Sequence, residues 1–327
     1  MRNLGKSELQ VSPISLGTFA IGGTMWGGNE EKESLEAIHA SIDNGVTSID
    51  TAPFYGLGLS EEVIGKALKG KDRSKVQLLT KFGLVWDGSN NRKGEYFFDV
   101  NHNGESLPVY KFSSKENVIK EVEESLKRLN TDYIDLLQLH WADPTTPISE
   151  TMEAMELLKQ QGKIRAVGVS NYNIAQLLEA EQSTTLASNQ VAYSMLNRSI
   201  EQELIPFSEQ KDIGIIAYSP MERGLLTGKY FTNGKLKQDD HRNGYFQQHD
   251  LDKVKSFLEQ LNPIAQNKQV SLSQLVLGWT IQQNGITTAL AGARNAKQAL
   301  SNAQAMHITF NQEELSTINS ALTSLKK

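Results

Sequence analysis

Four residues able to do proton chemistry stand at or just past the ends of three separate β-rich segments. Asp50 and Tyr55 belong to Ser48–Ala52 and the turn after it, Lys81 ends Gln77–Thr80, and His140 ends Tyr133–Leu139. A phenol, with an ordinary pKa near 10, is a poor acid at neutral pH. An ammonium about 4 Å away, at an effective dielectric of about 20, favours the phenolate by up to ~4 kcal/mol, about three pKa units. A carboxylate behind the lysine holds it charged and aimed while trimming that effect. A neutral imidazole beside the phenol donates a hydrogen bond to a carbonyl oxygen and fixes its orientation. Such a set protonates a carbonyl oxygen while another group attacks the carbon. A lysine at a strand end also suits Schiff-base chemistry, with Lys81 as the nucleophile of an aldolase or isomerase. Singly, each residue has an ordinary structural role: Asp50 capping a loop, Tyr55 and His140 in a core. The combination is what points to catalysis.

The combination requires elements that deliver these side chains to one place. Strand patterns fall at Ile14–Phe19, Ser48–Ala52, Gln77–Phe82, Tyr133–His140, Ala166–Ser170, Asn189–Tyr193, Ile213–Ser219 and Thr287–Ala291. Most are short and bounded by Gly, Asn, Asp or Pro, as buried parallel strands are. Helical patterns lie between them, at Glu31–Asp43, Glu61–Lys69, Ser114–Leu129, Glu150–Gln161, Ile174–Gln182, Glu201–Lys211 and Ser271–Gln283. In Ser114–Leu129 the apolar residues Val118, Ile119, Val122, Leu126 and Leu129 share one face, and Ser113 with Glu116 reads as a capping box. Alternating strands and helices predict an α/β fold, a (β/α)8 TIM barrel, whose chemistry gathers at the C-terminal ends of its strands. Ser7–Ser12 is expected in a small hairpin capping the bottom.

The chain of 327 residues is read as one barrel domain, 1–327, with roughly 75 residues beyond a minimal barrel of about 250. The surplus is placed in Leu84–Phe112 and Met221–Asp250, loops after strands three and seven that overhang the rim, and in a tail after Phe310. A net charge of −5 argues against a nucleic-acid footprint or a polybasic membrane surface. With no Cys, thiolate metal sites, disulfides and thiol nucleophiles are excluded. No His pair shows metal-ligand spacing, and His241 and His249 are expected on solvated surface. Neither a signal-peptide pattern nor a membrane-length apolar run is present, so cytoplasm is the expected location. Gly56-Leu57-Gly58 lacks the third Gly of a Rossmann fingerprint. Gly224 to Lys229 has glycines one residue too close for a P-loop.

Ser48-Ile49-Asp50-Thr51-Ala52-Pro53-Phe54-Tyr55-Gly56 resembles a motif of the aldo-keto reductases. So do Thr80-Lys81, Leu139-His140, Gly168-Val169-Ser170-Asn171 and Tyr218-Ser219-Pro220, in the family's order and across nearly the whole chain. The likeness is to the branch that includes potassium-channel β-subunits and bacterial general-stress and inositol-related reductases. The resemblance implies a barrel that binds NADPH across its rim and transfers hydride to an aldehyde or ketone. In it Tyr55 is the general acid, Lys81 lowers its pKa, Asp50 partners Lys81 and His140 orients the carbonyl. A cofactor-binding regulatory barrel with vestigial turnover is the alternative that the channel β-subunits illustrate.

The resemblance also implies the cofactor residues. Ser170, Asn171 and Gln190 match partners of the nicotinamide carboxamide, and Tyr218 matches the aromatic stacked on its ring. Ser219, Met221, Gly224 and Leu226 fall where this branch wraps the diphosphate, with Lys229 as a cationic partner. Gly292, Arg294, Gln298 and Asn302 match the adenosine corner, where Arg294 pairs with a 2′-phosphate. Ala291 stands where relatives often have Pro, and Ser301 where many have an acidic residue. Trp26, Phe54, Trp86 and Trp141 are expected to line the pocket for a small carbonyl substrate. Aromatic walls suit apolar carbonyls and the C–H faces of sugars alike. Asn197 and Arg198 are further candidates near the pocket or cofactor.

Overall fold

The computed structural model describes residues 1–23, 30–86, 94–102, 104–232, 236, 240 and 242–325. Trp26 and His241 lie outside the described residues. Eight parallel strands close into a barrel. They are β1 (Ile14–Gly17), β2 (Ser48–Asp50), β3 (Gln77–Phe82), β4 (Ile134–Leu139), β5 (Ile164–Ser170), β6 (Leu186–Ala192), β7 (Gly214–Tyr218) and β8 (Ile286–Gly292). Each pairs with its sequence neighbour, and the ring shuts where Ala289, Leu290, Ala291 and Gly292 of β8 lie opposite Ile14, Ser15, Leu16 and Gly17.

The pleat sends alternate residues to opposite faces. Outward-facing Ile49, Leu78, Leu137, Val167 and Val169 join an apolar layer with the surrounding helices. Inward-facing Leu79, Leu136, Ala166, Ala187, Ile216 and Leu290 form a separate cluster with Leu4, Leu9 and Val11. The last three come from the expected N-terminal hairpin, whose strands Arg2–Asn3 and Gln10–Val11 pair antiparallel. The hairpin is therefore a plug packed into the lower barrel, as much core as cap.

The structure departs from the sequence reading in four places. Leu84–Phe112 is not simply a loop: Leu84–Val85, Glu95–His102 and Glu105–Lys111 form a three-stranded antiparallel sheet. Part of the Met221–Asp250 stretch is helical, at Glu222–Thr227, Lys229–Thr232 and Arg242–Phe246. Past it lies a helix the sequence reading lacks, Leu251–Asn267, packed against Gln312–Leu325 of the tail. Its Val254, Phe257, Leu258, Leu261 and Ile264 keep helical spacing, but Pro263 inside it contradicts an uninterrupted helix pattern. Finally, the cap of Lys115–Leu129 is Ser114, whose hydroxyl accepts from the Asn117 amide. Ser113 is buried and bonds Asp143 and Thr151 instead, because its side chain faces the neighbouring helix start. Among the described residues no helix is long and apolar enough to cross a membrane.

Behind the rim one buried charge ties two helices to β3. Glu61, fully buried, accepts from Thr80 Oγ1 at 2.6 Å and from Arg128 Nε at 2.7 Å. Helices Leu59–Leu68 and Lys115–Leu129 approach so closely that a Cβ on Gly65 would lie 2.5 Å from the Arg128 carbonyl oxygen. Arg128 keeps some contact with solvent, whereas Glu61 has none. Arg128→Met is therefore expected to destabilise the fold by about 3–5 kcal/mol, by stranding a buried carboxylate. Glu61→Gln should cost less in the same urea-unfolding series, and the reverse order would show that Glu61 is not the constrained partner.

Candidate active site

Strand ends place the four chemical side chains together. Asp50 closes β2, Lys81 lies near the end of β3, and His140 follows β4, with its backbone N–H donating to Phe82 O. Tyr55 is carried by the turn after β2, where its amide donates to Ala52 O and its carbonyl accepts from Ser60 N. That turn is pressed against the chain following β1. Gly56 has φ +69°, and a Cβ on it would lie 2.2 Å from Gly22 O. Any side chain there displaces the loop carrying the phenol.

Lys81 Nζ donates to Asp50 Oδ1 at 2.6 Å, Thr51 O at 2.9 Å and Tyr55 Oη at 3.1 Å. The ammonium has three hydrogens, and all three have acceptors. Asp50 Oδ2 accepts in turn from Gln190 Nε2 at 2.8 Å and Gln138 Nε2 at 3.3 Å. The His140 ring meets Tyr55 edge to face, with centroids 5.9 Å apart.

Burial pushes the Lys81 ammonium down, but Asp50 and Tyr55 together outweigh it and raise its pKa above the ordinary value. Burial also pushes the Tyr55 phenol up, more than Lys81 pulls it down, and Asp50 adds to the rise. This corrects the expectation of a net depressed phenol. A carboxylate 2.6 Å from the ammonium cancels much of its field, and the phenolate loses hydration. Tyr55 therefore holds its proton in the resting protein. Burial, followed by repulsion from Lys81, keeps the His140 imidazolium from forming, its pKa lying well below the usual value. Glu121, behind Gly83, is a further buried acid; burial pushes it up to about 8 against the hydrogen bond from Gly83 N–H.

The expected nicotinamide residues lie in one network. Ser170 Oγ donates to Gln190 O at 2.8 Å, and Asn171 Nδ2 donates to Ser170 Oγ and His140 O. Tyr218 Oη donates to Asn171 Oδ1 at 3.0 Å. Gln190 differs from its expected role in that its amide nitrogen serves Asp50 and Gln138. Gln138 is missed by sequence reading, although a polar residue among Leu136, Leu137 and Leu139, on the same strand face as His140, signals it.

The segment after β7 is unusually bent: Ser219, Glu222, Arg223 and Gly224 all have φ between +49° and +98°. Non-glycine residues in that region cost roughly 1–3 kcal/mol each, so surrounding contacts must hold them. Buried Glu222 supplies one, accepting from the hydroxyls of Ser194 and Tyr245. Arg223 supplies another, its guanidinium 4.1 Å from the centre of the Tyr245 ring. Leu226 faces the core, and its amide donates to Met221 O, so it offers the site neither side chain nor N–H. Met221 is half-buried and Lys229 exposed. Asn302 donates to Gly292 O, while Gln298 accepts from the Arg294 amide, making one compact corner. His249 is partly buried rather than solvated, against the Tyr245 ring with Nε2 3.9 Å from Glu222.

The aromatic wall is partly as expected. Phe54 packs edge-on against Trp86 and against Phe98, and Trp141 packs on Phe97 at 5.3 Å. Phe97 and Phe98 come from the antiparallel sheet, so a loop-only reading cannot place them. Asn197 and Arg198 turn to their own neighbourhood, Arg198 pairing with Glu201 at 2.7 Å.

Residues 13–323 match the model of the aldo/keto reductase family. The chain belongs to the aldo-keto reductase family. Aldo-keto reductase YhdN of Bacillus subtilis is 39% identical over 98% of this chain and 92% of its own. An NADH-specific methylglyoxal reductase of Escherichia coli is 34% identical over 99% of this chain and 98% of its own. Among solved structures, a glycerol dehydrogenase from Gluconobacter oxydans superposes with a TM-score of 0.85 at 34% identity, covering 97% of this chain and 93% of its own. An aldo/keto reductase from Klebsiella pneumoniae in complex with NADP and acetate gives 0.73 at 28% identity, covering 98% and 94%. This aldo-keto reductase is thus an oxidoreductase of a family that uses nicotinamide cofactors.

The neutral His140 has a measurable consequence. Its folded pKa is depressed, so below about pH 6.5 the unfolded chain binds a proton that the native state refuses. Stability should fall as pH drops below that point, by up to about 1.4 kcal/mol per unit from this group. Urea midpoints across pH 5 to 8 should show that slope reduced in His140→Asn; an unchanged slope would place the effect elsewhere.

Proposed function

We propose that the protein reduces a small aldehyde or ketone with NADPH, Tyr55 acting as the general acid. The observation that carries this reading is the 3.1 Å contact between Lys81 Nζ and Tyr55 Oη inside a buried ion pair. The donors present fit a nicotinamide dinucleotide. Asn171 and Ser170 offer amide and hydroxyl groups beside the Tyr218 ring, suiting a flat carboxamide-bearing heterocycle. Among the described residues, Gly224 has only Arg242 Nη1, 3.9 Å away, near the place of a side chain, so its backbone is open to close approach. Ser170, Asn171 and Tyr218 would hold the nicotinamide, Ser219 to Gly224 the diphosphate, and Arg294 a 2′-phosphate. When bound, reduced nicotinamide supplies a hydride.

The chain's own contribution is proton placement. Neutral His140 donates a hydrogen bond to the carbonyl oxygen and aims it at Tyr55. As negative charge grows on that oxygen, the phenol gives up its proton, and the fixed Lys81 ammonium stabilises the phenolate left behind. The raised phenol pKa keeps the acid loaded beforehand. The same ammonium is a poor Schiff-base nucleophile, since every hydrogen is engaged and its pKa is raised. The aromatic wall leaves the substrate as a small carbonyl compound, sugar-derived ones included. The names of the methylglyoxal reductase and glycerol dehydrogenase relatives support the small size.

Tyr55→Phe should bind NADPH with unchanged affinity while reduction falls about 10²–10⁴-fold, the usual contribution of a positioned acid. Nucleotide titration and a panel of aldehydes, ketones and sugars followed by NADPH absorbance would check both halves. Retained turnover would remove Tyr55 from its role.

A further inference from the structure

Arg242 occupies a position that no motif marks. Its Nη1 lies 3.9 Å from where a Gly224 side chain would begin, in the segment read above as the diphosphate wrap. The other side of its guanidinium is clamped by Asp240: Nε meets Oδ1 at 2.9 Å and Nη2 meets Oδ2 at 2.6 Å. The Arg242 backbone amide also donates to Asp240 Oδ1, at 3.0 Å. Both side chains are about one-fifth exposed, too buried for solvent to screen them fully. A bidentate pair of this kind fixes the planar group in one orientation.

The same pair acts on the adenosine corner. Arg294 is held below the ordinary guanidinium range by burial first and by repulsion from Arg242 second, with Asp240 opposing. Two arginines and one aspartate thus share one field, and their charges sum to +1 where the arginines alone would give +2. A ribose 2′-hydroxyl is indifferent to that difference. A 2′-phosphate, with close to two negative charges, is not.

We propose that Asp240 and Arg242 set the margin between phosphorylated and unphosphorylated dinucleotides, Arg242 adding cationic charge at the cofactor's phosphates and Asp240 withholding part of it. The inference rests on the reading of this corner as the adenosine end. It adds two specificity residues to Arg294 and makes Asp240 a brake on NADPH preference.

Equilibrium titrations with NADP⁺, NAD⁺ and 2′,5′-ADP test this without turnover. Asp240→Asn should tighten NADP⁺ and 2′,5′-ADP about five- to tenfold, the scale of one charge pair near a surface, and leave NAD⁺ within about twofold. Adding Arg242→Met to that variant should erase the gain. Equal changes for NADP⁺ and NAD⁺, no change, or a gain that survives Arg242→Met would overturn the inference. Arg294→Met separates it from the reading beneath: selective loss of NADP⁺ affinity upholds the corner even if Asp240 proves inert. Equal losses for NADP⁺ and NAD⁺ in that variant, or no loss for either, would sink both.

Discussion

An ion pair with almost no access to water, Lys81 with Asp50, is the constraint around which the rest of the rim is arranged. Removing an ammonium and a carboxylate from water costs several kcal/mol each, so such a pair persists only when remaining hydrogens and lone pairs are also satisfied. Thr51 O and Tyr55 Oη complete the ammonium, and Gln138 and Gln190 complete the carboxylate. Those partners come from β4 and β6 as well as from the turn after β2, so the pair tolerates its burial only in a closed barrel. The phenol is thereby the one member of the cluster with both a fixed cation and a proton to give. Its raised pKa and the neutral imidazole across from it follow from the same exclusion of water.

The backbone is tightly bent at two places that flank the rim. Gly56 and Gly22 touch so closely that the loop bearing Tyr55 has one way to lie. After β7, Glu222 and Arg223 accept left-handed geometry that contacts to Ser194 and Tyr245 help to hold in place. Strain of this kind is concentrated where a backbone must come close to a bound group, and both places flank the rim.

Much of this was legible in the sequence. Short apolar runs between turn residues located all eight barrel strands, because a strand buried on both faces leaves a compact hydrophobic signature. Asp50, Tyr55, Lys81 and His140 were legible because strand ends of a parallel barrel share one rim. The sheet over residues 84–111 was obscured by its polar and aromatic composition, although Asn-Gly at 103–104 between alternating residues is a hairpin signal. Helix Leu251–Asn267 was hidden by Pro263, which that helix accommodates. Gln190's bond to Asp50 and Arg242's place beside Gly224 were beyond reach, since each depends on residues distant in sequence. Sequence pattern carries faces and ends; it does not carry which side chain claims which acceptor.

The plug at the barrel floor bears on how the chain matures. Arg2 donates to the carbonyls of Ile281, Ile286 and Thr287, at the opposite end of the polypeptide. A Cβ on Gly5 would strike the Ala187 and Asp212 carbonyl oxygens at 2.4 and 2.7 Å, so the hairpin fits against β6 and β7 with no slack. Contacts of such sequence separation form slowly, and during synthesis from the N-terminus their partners do not yet exist. The hairpin thus leaves the ribosome well before its partners and is among the last elements to be seated. A nascent chain stalled before β8 has emerged would expose Leu4, Leu9 and Val11 together with an unpaired edge of β1.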